Sequence, residues 1–234
     1  MRLGVLSDIH ANLPALEAAL EALRREGVDE VLLLGDLVGY GPHPREVIHR
    51  VWKEGLPAIA GAWDLRVAYP LPGALPEGVG RATLEWTRAQ LSERELAYLR
   101  SLRLSHRRVF GERRLLAFHG SPGNPEEPLD LLGPAGGLWE LFSRYRAQLL
   151  LLGGRHLPLA RRVGAGLLAD PGSAGLSLSG EPGADALLLD TDTLEVRFLK
   201  VPYDPGPVIA DLQAFGLPPV LAHVYRTGRF PKQG

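Results

Sequence analysis

Four short apolar runs in this chain each stop at a glycine or a polar residue: LGVLSD (3–8), VLLLGD (31–36), RLLAFHG (114–120) and LLLLGG (149–154). Uniformly apolar runs of this length are the mark of strands buried on both faces, as in a parallel sheet. Parallel strands need crossover connections, and the first crossover is plain. In ANLPALEAALEALRREG, Leu13, Leu16, Leu20 and Leu23 form one helical stripe with Ala19 on the same face. Asn12 suits the N-cap, Pro14 the first turn and Gly27 the end. Strand, helix and strand within 36 residues make a right-handed βαβ unit, so the fold class is α/β.

The remaining pattern extends this scheme over a single expected domain, 1–234. Segment 39–44 (GYGPHP) reads as loop, 45–54 as helix, 57–60 as a third strand and 69–80 as a Pro/Gly-rich loop. The stretch IAGAWDLRV (59–67) reads as a strand running out into a turn. Segment 81–91 reads as helix. Ser92 and Glu95 form a capping box ahead of Leu96, Leu99 and Leu102. Segments 107–110 and 113–118 read as a hairpin, 122–137 as a long loop of the kind that carries function, and 138–148 as helix. From Arg162 onward the chain turns β-rich, with strands over 186–190 and 194–201 and helices over 207–215 and 220–226.

Composition excludes several function classes. The formal net charge is −1, so no whole-molecule field favours nucleic acid or an anionic membrane. There is no cysteine, which removes thiol nucleophiles and cysteine–zinc sites and fits a reducing compartment. No apolar run reaches the roughly 18 residues of a membrane span, and the apolar start is too short for a signal peptide. A cytoplasmic protein is expected.

Candidate chemistry sits where the apolar runs end. Asp8 and His10 follow the first strand, Asp36 the second, His119 ends another and His156 follows the run 149–152. Open α/β sheets place their sites at the carboxyl ends of strands. Carboxylates and imidazoles converging there can hold a divalent cation. Taken singly, each has an ordinary reading: Asp8 as a helix cap, Asp36 as a turn residue, the histidines as hydrogen-bonded polar groups. Five ligand-type residues at successive strand ends are more than chance placement supplies.

The order D-x-H (8–10), G-D (35–36), G-x-x-D (61–64), H-G-S (119–121) and G-x-x-H (153–156) resembles the calcineurin-like metallophosphoesterases. SDIHANLPALEA, LLLGDLVGYGP, FHGSP, DPGSAG (170–175) and VPYD (201–204) are similar to a bacterial branch of that family. The resemblance covers nearly the whole chain. It implies a four-layer αββα sandwich, a metal site at the strand ends and phosphoester hydrolysis. It also implies that Asp8, His10, Asp36 and His156 hold one metal, all four being present, and that Asp36 and His119 contribute to a second. Two ligand positions of that second metal are Ala62 and Gly154, and the general-acid histidine position is Trp63.

These departures set the functional expectation. One divalent ion (Mn²⁺, Fe²⁺ or Zn²⁺) is expected, with the second metal lost, no catalytic proton donor, and hydrolysis weak or altered. The alternative is a catalytically inactive pseudoenzyme that binds a metal or a phosphate-containing ligand; a scaffold without metal is a third reading. Arg155, Tyr40 and His43 are candidate substrate-binding residues for a small phosphoester or nucleotide-like ligand, although Arg155 can equally turn to solvent and His43 can simply shape its loop. The Trp63 indole is expected to fill space beside Gly154 and His119, with burial in the core, a lid over the cleft, or a stacking platform as alternatives.

Overall fold

The computed structural model describes residues 1–69, 77–130 and 135–231. Strand β1 (Arg2–Leu6) pairs in parallel with β2 (Glu30–Leu33), and α1 (Leu13–Arg25) forms the crossover. The Asn12 side chain caps α1 by accepting the Ala15 N–H at 3.2 Å, and the helix buries Leu16, Ala19, Leu20 and Leu23. Helices α2 (Pro44–Glu54), α3 (Ala62–Ala68), α4 (Val79–Gln90) and α5 (Glu93–Ser101) follow. The hairpin β3 (Ser105–Phe110) and β4 (Arg113–His119) leads to α6 (Ala135–Tyr145) and β5 (Leu149–Gly153). Strands β6 (Pro158–Val163), β7 (Gly166–Pro171), β8 (Ala184–Asp190) and β9 (Val196–Val201) precede the closing helices α7 (Gly206–Ala214) and α8 (Val220–Thr227).

The strands form two sheets, ordered β2-β1-β8-β9 and β3-β4-β5-β7-β6. The run LLLL explains how they stack. Leu149 and Leu151 join Leu3, Val5, Leu187 and Leu189 in the core between the sheets, whereas Leu150 and Leu152 face outward against Leu138 and Phe142 of α6. This alternation is the period of two that a strand imposes, with both faces apolar because both are covered. On the other sheet, Leu6, Leu33 and Leu188 pack outward with α1 and α2. The result is helix, sheet, sheet, helix: the expected sandwich. Each fully buried leucine contributes about 1.5–3 kcal/mol. Among the described residues, no helix is long and apolar enough to cross a membrane.

Several boundaries differ from the sequence reading. Segment 57–60 makes only isolated bridges, Leu33 with Ala58 and Ile59 with Arg103, because Pro57 offers no N–H and the chain turns into a helix at Gly61. That helix, α3, replaces the expected turn after the strand end. Its first turn is organised by Asp64, whose carboxylate accepts the Gly61 N–H at 2.9 Å. Helix α6 starts and ends earlier than expected, and Arg146 just after it takes a left-handed φ of 48°. The β-rich region begins at Pro158 rather than Arg162. The loops expected over 69–80 and 122–137 lie partly outside the described residues.

Candidate metal centre

The parallel pairings β1–β2 and β4–β5 bring the carboxyl ends of four strands to one edge of the sandwich. There the five candidate ligands meet in two overlapping groups: Asp8, His10 and His156, and Asp8, Asp36 and His119, each with its ligand atoms within 4.8 Å of one another. His156 Nε2 lies 3.2 Å from Asp8 Oδ1 and 3.2 Å from His10 Nε2. Asp36 Oδ2 lies 3.7 Å from His10 Nε2 and 3.4 Å from His119 Nε2. The chain reaches this arrangement through left-handed backbone at Asp8 (φ 54°), His10 (46°), Asp36 (52°) and His156 (58°). Such conformations cost of order 1–3 kcal/mol each in non-glycine residues and cluster at functional sites.

Hydrogen bonding fixes the orientation of all three imidazoles. Nδ1 of His10, His119 and His156 sits 3.3, 2.7 and 2.7 Å from the carbonyls of Val38, Leu34 and Leu176. A carbonyl can only accept, so each Nδ1 carries a proton and each Nε2 points inward, the orientation of a metal-ligating histidine. Two inward lone pairs 3.2 Å apart repel unless a proton or a cation lies between them. Asp8 Oδ1 is buried with the imidazole of His156 as its near polar neighbour, at 3.2 Å, while Asp8 Oδ2 accepts the Gly154 N–H at 3.0 Å. A buried carboxylate oxygen whose polar neighbours are imidazoles suits a divalent cation. The residues present therefore fit a metal.

The charges tell the same story. Burial pushes the Asp8 carboxyl up, but the imidazoles of His156, His10 and His119 outweigh it and hold it well below the usual carboxylate range. Burial pushes His119 and His156 down, yet the facing carboxylates of Asp36 and Asp8 raise them to about 10 and about 9. The pocket is thus built to stabilise positive charge beside Asp8 and Asp36.

The other predicted residues fall around this cluster. Tyr40 packs edge-on to His10, with ring centroids 4.9 Å apart, and burial together with Asp36 pushes its hydroxyl up to about 12. Trp63 lies against Tyr40, with centroids 4.4 Å apart, and edge-on to His10 at 6.4 Å. The ring contacts of the indole are with Tyr40 and His10. A side-chain carbon at Gly154 would lie 3.0 Å from His119 Nε2. Trp63 lies in the first turn of α3: its N–H donates to Asp36 Oδ1 at 2.7 Å, and the ring leaves the helix toward Gly39. Arg155 donates to the Leu129 carbonyl at 3.1 Å, fastening the 122–130 segment. His43 Nε2 pairs with Asp211 Oδ2 of α7 at 2.8 Å, so it ties the 39–44 loop to the closing helices.

Three further residues support the cluster. Asp64 accepts the N–H groups of Leu37 and Val38, at 2.9 and 3.2 Å, as well as that of Gly61, and so locks the turn that carries Asp36. Ser173 Oγ donates to the Asp8 carbonyl at 2.7 Å. Asp170 is fully buried, and burial and Asp8 push its carboxyl well up. The D-P-G-S run held the signal for the last two. The carbonyl partners of the histidines left no trace in side-chain pattern. A separate cavity of about 830 Å³, lined by Arg2, Arg162 and Arg197 among others, contains none of the five ligands.

Comparison with known proteins agrees with this geometry. Residues 1–194 match the family model of the calcineurin-like phosphoesterase superfamily domain. The phosphodiesterase YfcE of Escherichia coli is 26% identical over 215 residues, covering 86% of this chain and 93% of the relative. A metallophosphoesterase from Sphaerobacter thermophilus superposes with a TM-score of 0.80 at 31% identity, over 97% of this chain and 100% of that one. A hypothetical protein from Pyrococcus horikoshii superposes with a TM-score of 0.88 at 28% identity, over 98% and 99%. The chain belongs to the calcineurin-like phosphoesterase superfamily.

Proposed function

We propose that this protein is a metal-dependent phosphoester hydrolase working with one firmly held divalent cation, Mn²⁺, Fe²⁺ or Zn²⁺. Asp8, His10, Asp36 and His156 hold it; His119 with Asp36 marks a second position that Ala62 and Gly154 leave short of ligands. The observation that carries the reading is the convergence of three Nδ1-anchored imidazoles on Asp8 and Asp36, with Asp8 Oδ1 otherwise unpartnered. A bound cation of this kind polarises a phosphoryl oxygen and lowers the pKa of a water.

The chain's own groups do the rest. Asp64 and Ser173 hold the two ligand-bearing turns in register. Burial of Asp8, His10, Asp36 and His119 keeps water from competing for their lone pairs. Trp63, at the start of α3, supplies no proton to a departing oxygen, since an indole N–H is not an acid near neutral pH. A missing general acid typically costs about 10²–10⁴ in rate. Substrates whose leaving oxygen is stable as an anion are therefore favoured. Small phosphoesters suit the site better than nucleic acid, given the near-zero net charge, and the absence of cysteine supports a cytoplasmic setting.

The test is turnover of 4-nitrophenyl phosphate and bis(4-nitrophenyl) phosphate by Mn²⁺-loaded protein. Slow hydrolysis is expected, abolished by chelation and by Asp8→Asn or His156→Ala. No hydrolysis of either ester, or turnover indifferent to these changes, would refute the reading.

A further inference from the structure

Beside the ligand cluster stand two aromatic rings that no ligand role employs. Trp63 and Tyr40 are both half-buried, and their rings meet at 4.4 Å and 54°. Each is anchored from behind. Trp63 packs on the core beneath α1 and α2, and Tyr40 on the cluster formed by α7 and α8. Gly39 makes room for the indole: a side-chain carbon there would come within 2.8 Å of Trp63 Cε3. Both rings also reach the metal cluster, Tyr40 edge-on to His10 at 4.9 Å and Trp63 through its backbone bond to Asp36. Arg155 and His43, the polar side chains expected to read the substrate, are turned to Leu129 and Asp211. The two rings thus stand beside the ligand cluster, with the Arg66 guanidinium near enough to Tyr40 to act on its hydroxyl.

We propose that Trp63 and Tyr40 form a specificity wall that selects phosphoesters carrying a flat aromatic ring. The proposal rests on the hydrolase reading above and names its substrate class. The indole is half-buried and its ring lies 6.4 Å from that of His10, while its N–H bonds Asp36, so the phosphoryl group of a ligand whose ring stacks there is within reach of the cluster. Stacking is tolerant of ring type, so an aryl group and a nucleobase are both candidates. They differ in reach, since a nucleobase stands a sugar away from its phosphate.

The experiment measures binding without turnover, by calorimetry on Mn²⁺-loaded protein. Phenylphosphonate is compared with methylphosphonate, and adenosine 5′-(α,β-methylene)diphosphate with methylenediphosphonate. In at least one pair the ring-bearing ligand is expected to bind about tenfold tighter, equivalent to about 1.4 kcal/mol. The pair that shows it identifies the ring source. Trp63→Leu is expected to abolish the preference and Trp63→Phe to keep it, while both retain the wild-type metal content; Tyr40→Leu is expected to weaken it. Equal binding within both pairs by the wild-type protein, or a preference that survives Trp63→Leu, would overturn the wall and leave the hydrolase reading standing. Failure of all four phosphonates to bind would overturn both.

Discussion

Replacing Gly154 by histidine together with Ala62 by asparagine should rebuild the second metal position at a calculable expense in stability. Gly154 has φ of 97°, a conformation that a side chain strains, and a carbon added there lies 3.0 Å from His119 Nε2. A non-glycine residue in that region costs about 1–3 kcal/mol. In a domain of this size each kcal/mol moves the melting temperature by about 2–4 °C, so the metal-free variant should melt about 2–12 °C below wild type. A second bound ion reverses this. At Mn²⁺ near 100 times its dissociation constant, a site present only in the folded state adds about 2.7 kcal/mol, or about 5–11 °C. Thermal melts of both proteins, with chelator and with a Mn²⁺ series, read both effects. The variant should start lower and gain more. A variant as stable as wild type without metal would refute the strain argument. A variant gaining no more than wild type would show that Ala62 and Gly154 are not the missing ligand positions.

Other consequences follow from the same geometry. Asp64→Asn keeps two of the three backbone donors satisfied and leaves one facing an amide; a loss of about 1–3 kcal/mol is expected in denaturant unfolding, with weaker metal binding because the Asp36 turn loosens. The metal-free protein holds protons on His119 and His156, raised to about 10 and about 9, so a cation must displace them; Mn²⁺ affinity measured from pH 6 to pH 9 should rise steadily. The same shifts stabilise the metal-free fold below about pH 6.5, where these histidines are protonated folded or unfolded, and the stabilisation is lost as pH rises through about 9–10; melting in chelator should therefore fall toward pH 10. Arg155→Ala should leave metal content unchanged and speed proteolysis within 122–130, because it removes the bond to the Leu129 carbonyl; an equal rate of cleavage would show that the bond does not hold that segment.

The fold was legible wherever one residue pattern served both local and global needs. LLLL at 149–152 announces a strand covered on both faces, and the leucine stripe of α1 announces its own packing side. Asp8, His10, Asp36, His119 and His156 were legible because each ends or follows such a run, and strand ends converge in this architecture. What escaped was geometry carried by the backbone. Helix α3 is only seven residues long, and its first turn is capped by Asp64, whose three N–H partners lie on two separate segments. For Trp63, a single sequence position does not disclose that its N–H faces Asp36 while its ring turns to Tyr40. Arg155 and His43 likewise found partners in sequence-distant segments, at Leu129 and Asp211.

The central claim is that one cation position is complete and the second is not. The direct measurement is the number of metal ions per chain in protein purified with excess Mn²⁺ and then freed of loosely bound ions. The account predicts one equivalent, lost in Asp8→Asn and His156→Ala and retained in His119→Ala. Two equivalents in the wild-type protein, or loss of the single ion in His119→Ala, would contradict it.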